Sequence, residues 1–137
     1  MSQSKNGRAK KFKAYDQISR HIYDVVVFSC DGSVVGWSPK FGERHIKSHD
    51  AVILDFTGTQ DADGVDLYEG YIAERICLSR GCDLTHRGII EYDPDFCTFV
   101  LHNYKEDIVV PMVIGQEKAR IVPKYLGNVF EANVELF

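Results

Sequence analysis

Apolar and polar residues alternate along much of this chain with the two-residue period of a strand, and no long stretch keeps the 3.6-residue period of a helix. Lys11-Phe12-Lys13-Ala14-Tyr15 alternates and predicts a half-buried strand. Residues 22–28 are rich in β-branched valine and predict a second strand. Asp31-Gly32 follows as hairpin-turn chemistry, because glycine accepts the positive φ of a tight turn, and residues 34–37 return as the partner strand. Residues 38–50 hold Pro39, Gly42, His45 and His49 with no clear period, which predicts a loop and a boundary between two subdomains.

A buried strand is expected at residues 51–56, then a turn-rich loop over 57–66. Residues 71–79 fit a strand better than a helix, and 80–88 read as a polar loop. Residues 89–92 and 96–103 bracket Asp93-Pro94-Asp95, a hairpin with turn chemistry. In the strand expected at 108–114, Pro111 cannot donate to a ladder, so that strand belongs at an edge or is bulged there. Strands at 119–125 and 128–130 finish the pattern, with Asn133 as a cap for a short closing turn. Many short strands with turn signals between them predict a mainly β protein, a small barrel or roll.

Size and charge refine this picture. A chain of 137 residues buries enough surface to form a core without disulfides or metal. No segment approaches the roughly 18 apolar residues of a membrane-spanning helix. No apolar region follows the basic N-terminus, so a secretory signal is not expected and a cytoplasmic location is. Cys30, Cys77, Cys82 and Cys97 form no C-x-x-C pair and are expected as free thiols in a reducing compartment.

Five of the sixteen basic residues and none of the twenty acidic ones fall in residues 1–13, so this arm carries +5 and the rest of the chain −9. Arg8, Lys10, Lys11 and Lys13 in the arm, with Arg80 and Arg87 in the later loop, are candidate nucleic-acid contacts through phosphate. The same arm also reads as a solvated terminus, and the same loop as a solvated hairpin tip.

Catalytic and metal constellations fail on spacing. Cys77, Cys82, His86 and Cys97 lack the paired spacing of a zinc site, and Cys97 shares an expected strand face with Phe99 and Leu101, as a buried thiol would. His45 and His49 lack the glutamate of H-E-x-x-H. The acids Asp61, Asp63, Asp66 and Glu69 place Gly64 wrongly for an EF-hand. No nucleophile elbow and no phosphate loop occurs, so no enzyme and no cofactor is expected.

Three stretches carry a family resemblance. Lys11-Phe12-Lys13-Ala14-Tyr15-Asp16 is an opening basic–aromatic strand. Phe56-Thr57-Gly58, then Asp63-Gly64-Val65-Asp66-Leu67-Tyr68-Glu69-Gly70, matches a pattern of the type F-T-G … D-x-x-G-x-x-x-Y-E-G-D-I-V. Gly127-Asn128-Val129-Phe130-Glu131-Ala132-Asn133-Val134-Glu135-Leu136 resembles a closing motif of the type G-N-I-Y-E-N-P-E-L-L. In this order they resemble the YopX family of bacteriophages and prophages, with Tyr71 standing where the pattern has an acid and Val134 where it has a proline.

The resemblance implies an SH3-like small barrel over residues 49–137 and a basic arm with a smaller β unit over 1–48. The family's molecular function is not established, so it brings no catalytic residue. Gly58, Asp63, Gly64, Tyr68, Glu69, Gly70, Gly127 and Asn128 are its motif positions here. They are read as structural, with a recognition surface around Tyr68 and Glu69 as the functional alternative. The expected role is a non-enzymatic accessory protein of a phage or prophage in a bacterial host cell. It would bind a host or phage protein, with nucleic-acid binding by the arm as the alternative. A homo-oligomer is consistent with exposed strand edges.

Overall fold

A computed structural model describes residues 11–76, 85–115 and 120–131. The protein is mainly β, with two antiparallel sheets, neither of them closed, and no α-helix among the described residues. No helix there is long and apolar enough to cross a membrane. By internal contacts the chain divides into two compact units, Met1–Phe56 and Thr57–Phe137.

The first unit is a meander. Strands β1 (Phe12–Asp16), β2 (His21–Phe28), β3 (Val34–Ser38) and β4 (Gly42–Ile46) pair in sequence order, and the first half of β5 (Ala51–Gln60) pairs with the free side of β1. The division between the units falls inside β5. Its core takes one residue from each of the first four strands: Ala14, Tyr23, Val34 and Ile46. Ala14 is the register partner of Tyr23, and Val34 that of Ile46, so the four lie on one face of the pleat.

Residues 38–50, expected as a loop, contain β4 and a 3-10 turn at Ser48–Asp50. The period was hidden because β4 is an edge strand with one buried apolar residue, Ile46, beside the exposed Glu43 and His45. Arg44 on this strand reaches Asp16 on β1, Nε to Oδ2 2.6 Å. On a flat sheet three strand spacings would hold their backbones about 14 Å apart. The contact therefore requires the sheet to curl around the core face.

Asp16 is 1% exposed. Its carboxylate accepts hydrogen bonds from Ile18 N–H at 3.0 Å and Ser19 Oγ at 2.7 Å as well as from Arg44. Burial pushes its pKa up, but these three donors together outweigh burial and hold it below the ordinary carboxylate value. A carboxylate with a lower pKa folded than unfolded stabilises the fold above its unfolded value, about 3.9, and loses that contribution as pH falls through the folded value. The thermal midpoint is expected to fall below about pH 4. Asp16→Asn is expected to lower the midpoint at pH 7 and flatten its acid dependence; an unchanged acid slope would contradict this account.

The second unit holds β6 (Asp66–Tyr68), which lies beside β5, and a five-stranded antiparallel sheet. The strands of that sheet are β7 (Tyr71–Ile76), β8 (Thr85–Asp93), β9 (Thr98–Asn103), β10 (Ile108–Pro111) and β11 (Lys124–Asn128), in the order β10-β9-β8-β7-β11. Ile90 and Leu101, register partners on β8 and β9, are buried with Leu67, Val100 and Met112. Pro111 sits on edge strand β10, where the sheet needs no donor on its outer side.

Several boundaries differ from expectation. β5 runs on through Gly58 to Gln60. β8 begins at Thr85, inside the expected polar loop. The last strand is Lys124–Asn128, with Ile121 forming only an isolated bridge to Ile114. Cys97, expected as a buried strand thiol, is exposed in the β8–β9 turn with φ +54° and donates its thiol proton to Pro94 O. The closing turn around Asn133 lies outside the described residues.

Candidate functional site

The two halves of the family motif meet in the second unit. β7 pairs with β11, setting Tyr71 opposite Asn128 and Ile72 opposite Gly127. Asn128 is buried and organises the turn that follows it. Its Oδ1 accepts hydrogen bonds from Phe130 N–H at 3.0 Å and Glu131 N–H at 2.9 Å, and its Nδ2 donates to Glu131 Oε1 at 3.0 Å. This side-chain cap is why an asparagine ends the strand here.

The turn delivers Phe130 onto Gly70. A Cβ at position 70 would stand 2.6 Å from Phe130 Cε2 and would displace that ring, and Gly70 has φ +89°, a backbone conformation that favours glycine. Gly70 N–H donates to Ile90 O at 2.9 Å, and Val129 N–H donates to Gly70 O at 3.0 Å. Gly70 thereby ties β8 to the C-terminal turn.

Beside this junction lies an open groove of about 680 Å³, lined by Glu69, Gly70, Ile89, Ile90, Glu91, Tyr92, Tyr104, Val129 and Phe130. Its lining is mostly apolar and aromatic, with two acidic residues, Glu69 and Glu91. Tyr68 is 3% exposed, packs at 5.5 Å against Tyr71 and does not line the groove, so it presents no surface of its own. Of the expected recognition pair, Glu69 alone reaches the groove.

Glu91 is the polar centre. Its Oε1 lies 3.0 Å from His102 Nδ1, and its Oε2 accepts the Tyr104 hydroxyl proton. The His102 and Tyr104 rings stack at 3.7 Å. Partial burial and then the Glu91 carboxylate push the Tyr104 pKa up to about 12. His102 Nε2 is buried with no hydrogen-bond partner among the described residues. Nucleophile activation needs a depressed pKa or a base that takes the proton. Here the only hydroxyl in the network is made less acidic by partial burial and by the carboxylate beside it, the opposite of activation.

The other motif positions are turn residues. Gly58, Gly64 and Gly127 have positive φ. The loop over 61–65 is closed by Asp61, whose Oδ1 accepts hydrogen bonds from Asp63 N–H and Val65 N–H, both at 2.9 Å, and whose Oδ2 accepts one from Tyr125 N–H at 3.1 Å. Both oxygens of this buried acid therefore serve the backbone.

Of the candidate nucleic-acid contacts, Arg8, Lys10 and Arg80 lie outside the described residues. Lys11 Nζ stands 5.1 Å from the centre of the Phe56 ring, Lys13 pairs with Asp24 at 3.1 Å, and Arg87 bonds Glu74 at 3.3 Å. Arg87, in the same unit as the groove, is not among the residues that line it.

Sequence reasoning missed Glu91, Tyr92, His102 and Tyr104, and quoted Phe130 only within the closing motif. A signal was present for some of them. Once the hairpin around Asp93-Pro94-Asp95 pairs Asp93 with Thr98, counting back places Glu91 diagonal to His102 on the facing strand.

Comparison of the chain with protein-family models, with curated proteins and with solved structures returns no match.

Proposed function

We propose that this chain is a non-enzymatic protein-binding module that seats a segment of a partner protein in the groove of the second unit. The observation that supports this reading is the junction of Gly70 with Phe130. Two motif halves far apart in the chain combine there to shape an open apolar wall carrying Glu69 and Glu91. Such a wall suits apolar and basic side chains together. In this reading the chain is a YopX-type accessory protein of a phage or prophage, acting in the cytoplasm of a bacterial host. Its second unit is then an SH3-like small barrel whose sheet is left open.

The test is capture from lysate of a bacterial host, with and without nuclease, by the intact chain, by a chain lacking residues 1–13 and by Glu69→Lys. A stoichiometric protein partner is expected to survive nuclease and the deletion, and to fall at least tenfold with Glu69→Lys. Recovery of mainly nucleic acid, lost on the deletion, would assign the function to the basic arm instead.

A further inference from the structure

We propose that the groove takes its partner by strand addition, the ligand being a short extended segment of alternating apolar and basic residues laid along the free edge of β8 at Tyr92. This rests on the protein-binding reading above.

The edge is visible in the register. β7 pairs with β8 only from Ile76↔Thr85 to Ile72↔Ile89, whereas β9 follows β8 on its other side to Asp93↔Thr98. Among the described residues the last four of β8 thus have one strand neighbour. Gly70 N–H bonds Ile90 O, which shows that the backbone groups of Ile90 point to the β7 side. Backbone direction alternates along a strand, so the N–H and C=O of Tyr92 point the same way. No backbone hydrogen bond meets them there among the described residues. An unpaired N–H and C=O on a strand edge is the template that strand addition uses.

The chemistry of the occupant follows from the pleat. Glu91 and Tyr92 project to opposite faces of β8. An added strand presents successive side chains to those same two faces. On the Glu91 face the segment meets a carboxylate, which favours arginine or lysine. On the Tyr92 face it meets a ring that is 49% exposed and packed edge-on to Phe99 at 5.5 Å, which favours an apolar residue.

The test uses fluorescence anisotropy with three labelled heptapeptides: alternating valine and arginine, alternating valine and glutamate, and the first peptide N-methylated at alternate residues. The proteins are the intact chain, Tyr92→Ala and Tyr92→Pro. Both substitutions remove the ring, but only proline removes the edge N–H, and proline is tolerated on a free edge. The valine–arginine peptide is expected to bind at least tenfold more tightly than the other two, and Tyr92→Pro to bind it at least tenfold more weakly than Tyr92→Ala. Should Tyr92→Pro fail to fold, the N-methylated peptide on the intact chain decides the matter.

Equal binding by the proline and alanine variants, or by the N-methylated peptide, would overturn strand addition. Absence of peptide binding would overturn it too, and lysate capture that still depends on Glu69 would then leave the protein-binding module standing. A dimer in sedimentation that Tyr92→Pro dissolves would replace the partner by a second copy. Peptide affinity raised tenfold by deleting residues 132–137 would replace it by the chain's own end.

Discussion

Gly88→Ala is expected to destabilise the second unit by about 3 kcal/mol, the upper part of the range for forcing extra volume into a packed interior. Gly88 is buried on β8, between β7 and β9, opposite Ala73. A Cβ there would stand 2.8 Å from both C and N of His102 and 2.9 Å from its O. These are backbone atoms of β9, held by the pairing of His102 with Ile89, so no side-chain rotation relieves the clash. The sheet must part locally, and His102 must move with respect to Glu91. For a unit of this size the thermal midpoint should drop by roughly 12 °C or more. A midpoint within about 3 °C of the parent, which corresponds to less than about 1 kcal/mol, would show that β8 and β9 separate at little cost.

Asp61→Ala is expected to cost about 3 kcal/mol and Asp61→Asn about 2. The alanine leaves three backbone N–H groups, of Asp63, Val65 and Tyr125, without their acceptor in a buried place. Asparagine keeps one oxygen for the loop but turns an amide N–H₂ toward Tyr125 N–H, donor against donor. Burial raises the Asp61 pKa, but the hydrogen bonds from Val65, Tyr125 and Asp63, with the Lys124 charge, outweigh this and hold it below the ordinary value. The stability it confers is therefore present above about pH 4 and lost as pH falls further. Urea unfolding at pH 7 and pH 3 measures both effects. The loss on Asp61→Ala should be large at pH 7 and smaller at pH 3; an equal loss at both would mean that the ionised carboxylate adds nothing.

What the sequence revealed follows from which interactions are local. The turns at Asp31-Gly32 and around Asp93-Pro94-Asp95 were legible because a hairpin is set by neighbouring residues and one glycine or proline. β4 was not legible, because Glu43, Arg44 and His45 look like a loop until the curl of the sheet brings Arg44 to Asp16. Cys97 was misplaced because the turn after Asp93 extends to it, and a positive φ at a non-glycine residue leaves no mark in the pattern. In the sequence Asp61 reads as one of several loop acids, since its third bond goes to Tyr125 on a strand far along the chain.

The groove was the least legible feature. The motif residues Glu69, Gly70 and Asn128 were named from the sequence, but their meeting depends on the β7–β11 pairing. The free edge at Tyr92 depends on where β7 begins, just after the positive-φ Gly70, and on its register with β8, which the pattern of residues does not show.

The claim that the groove of the second unit is the partner site is tested most directly by a photo-crosslinker. Tyr92→benzoylphenylalanine would be compared with Trp37→benzoylphenylalanine, which places the same probe on an exposed position of the first unit. Irradiation in lysate is predicted to give a nuclease-resistant protein adduct from position 92, absent from position 37 and lost when Glu69→Lys is added. Adducts from position 37 alone, or adducts that nuclease removes, would contradict the assignment.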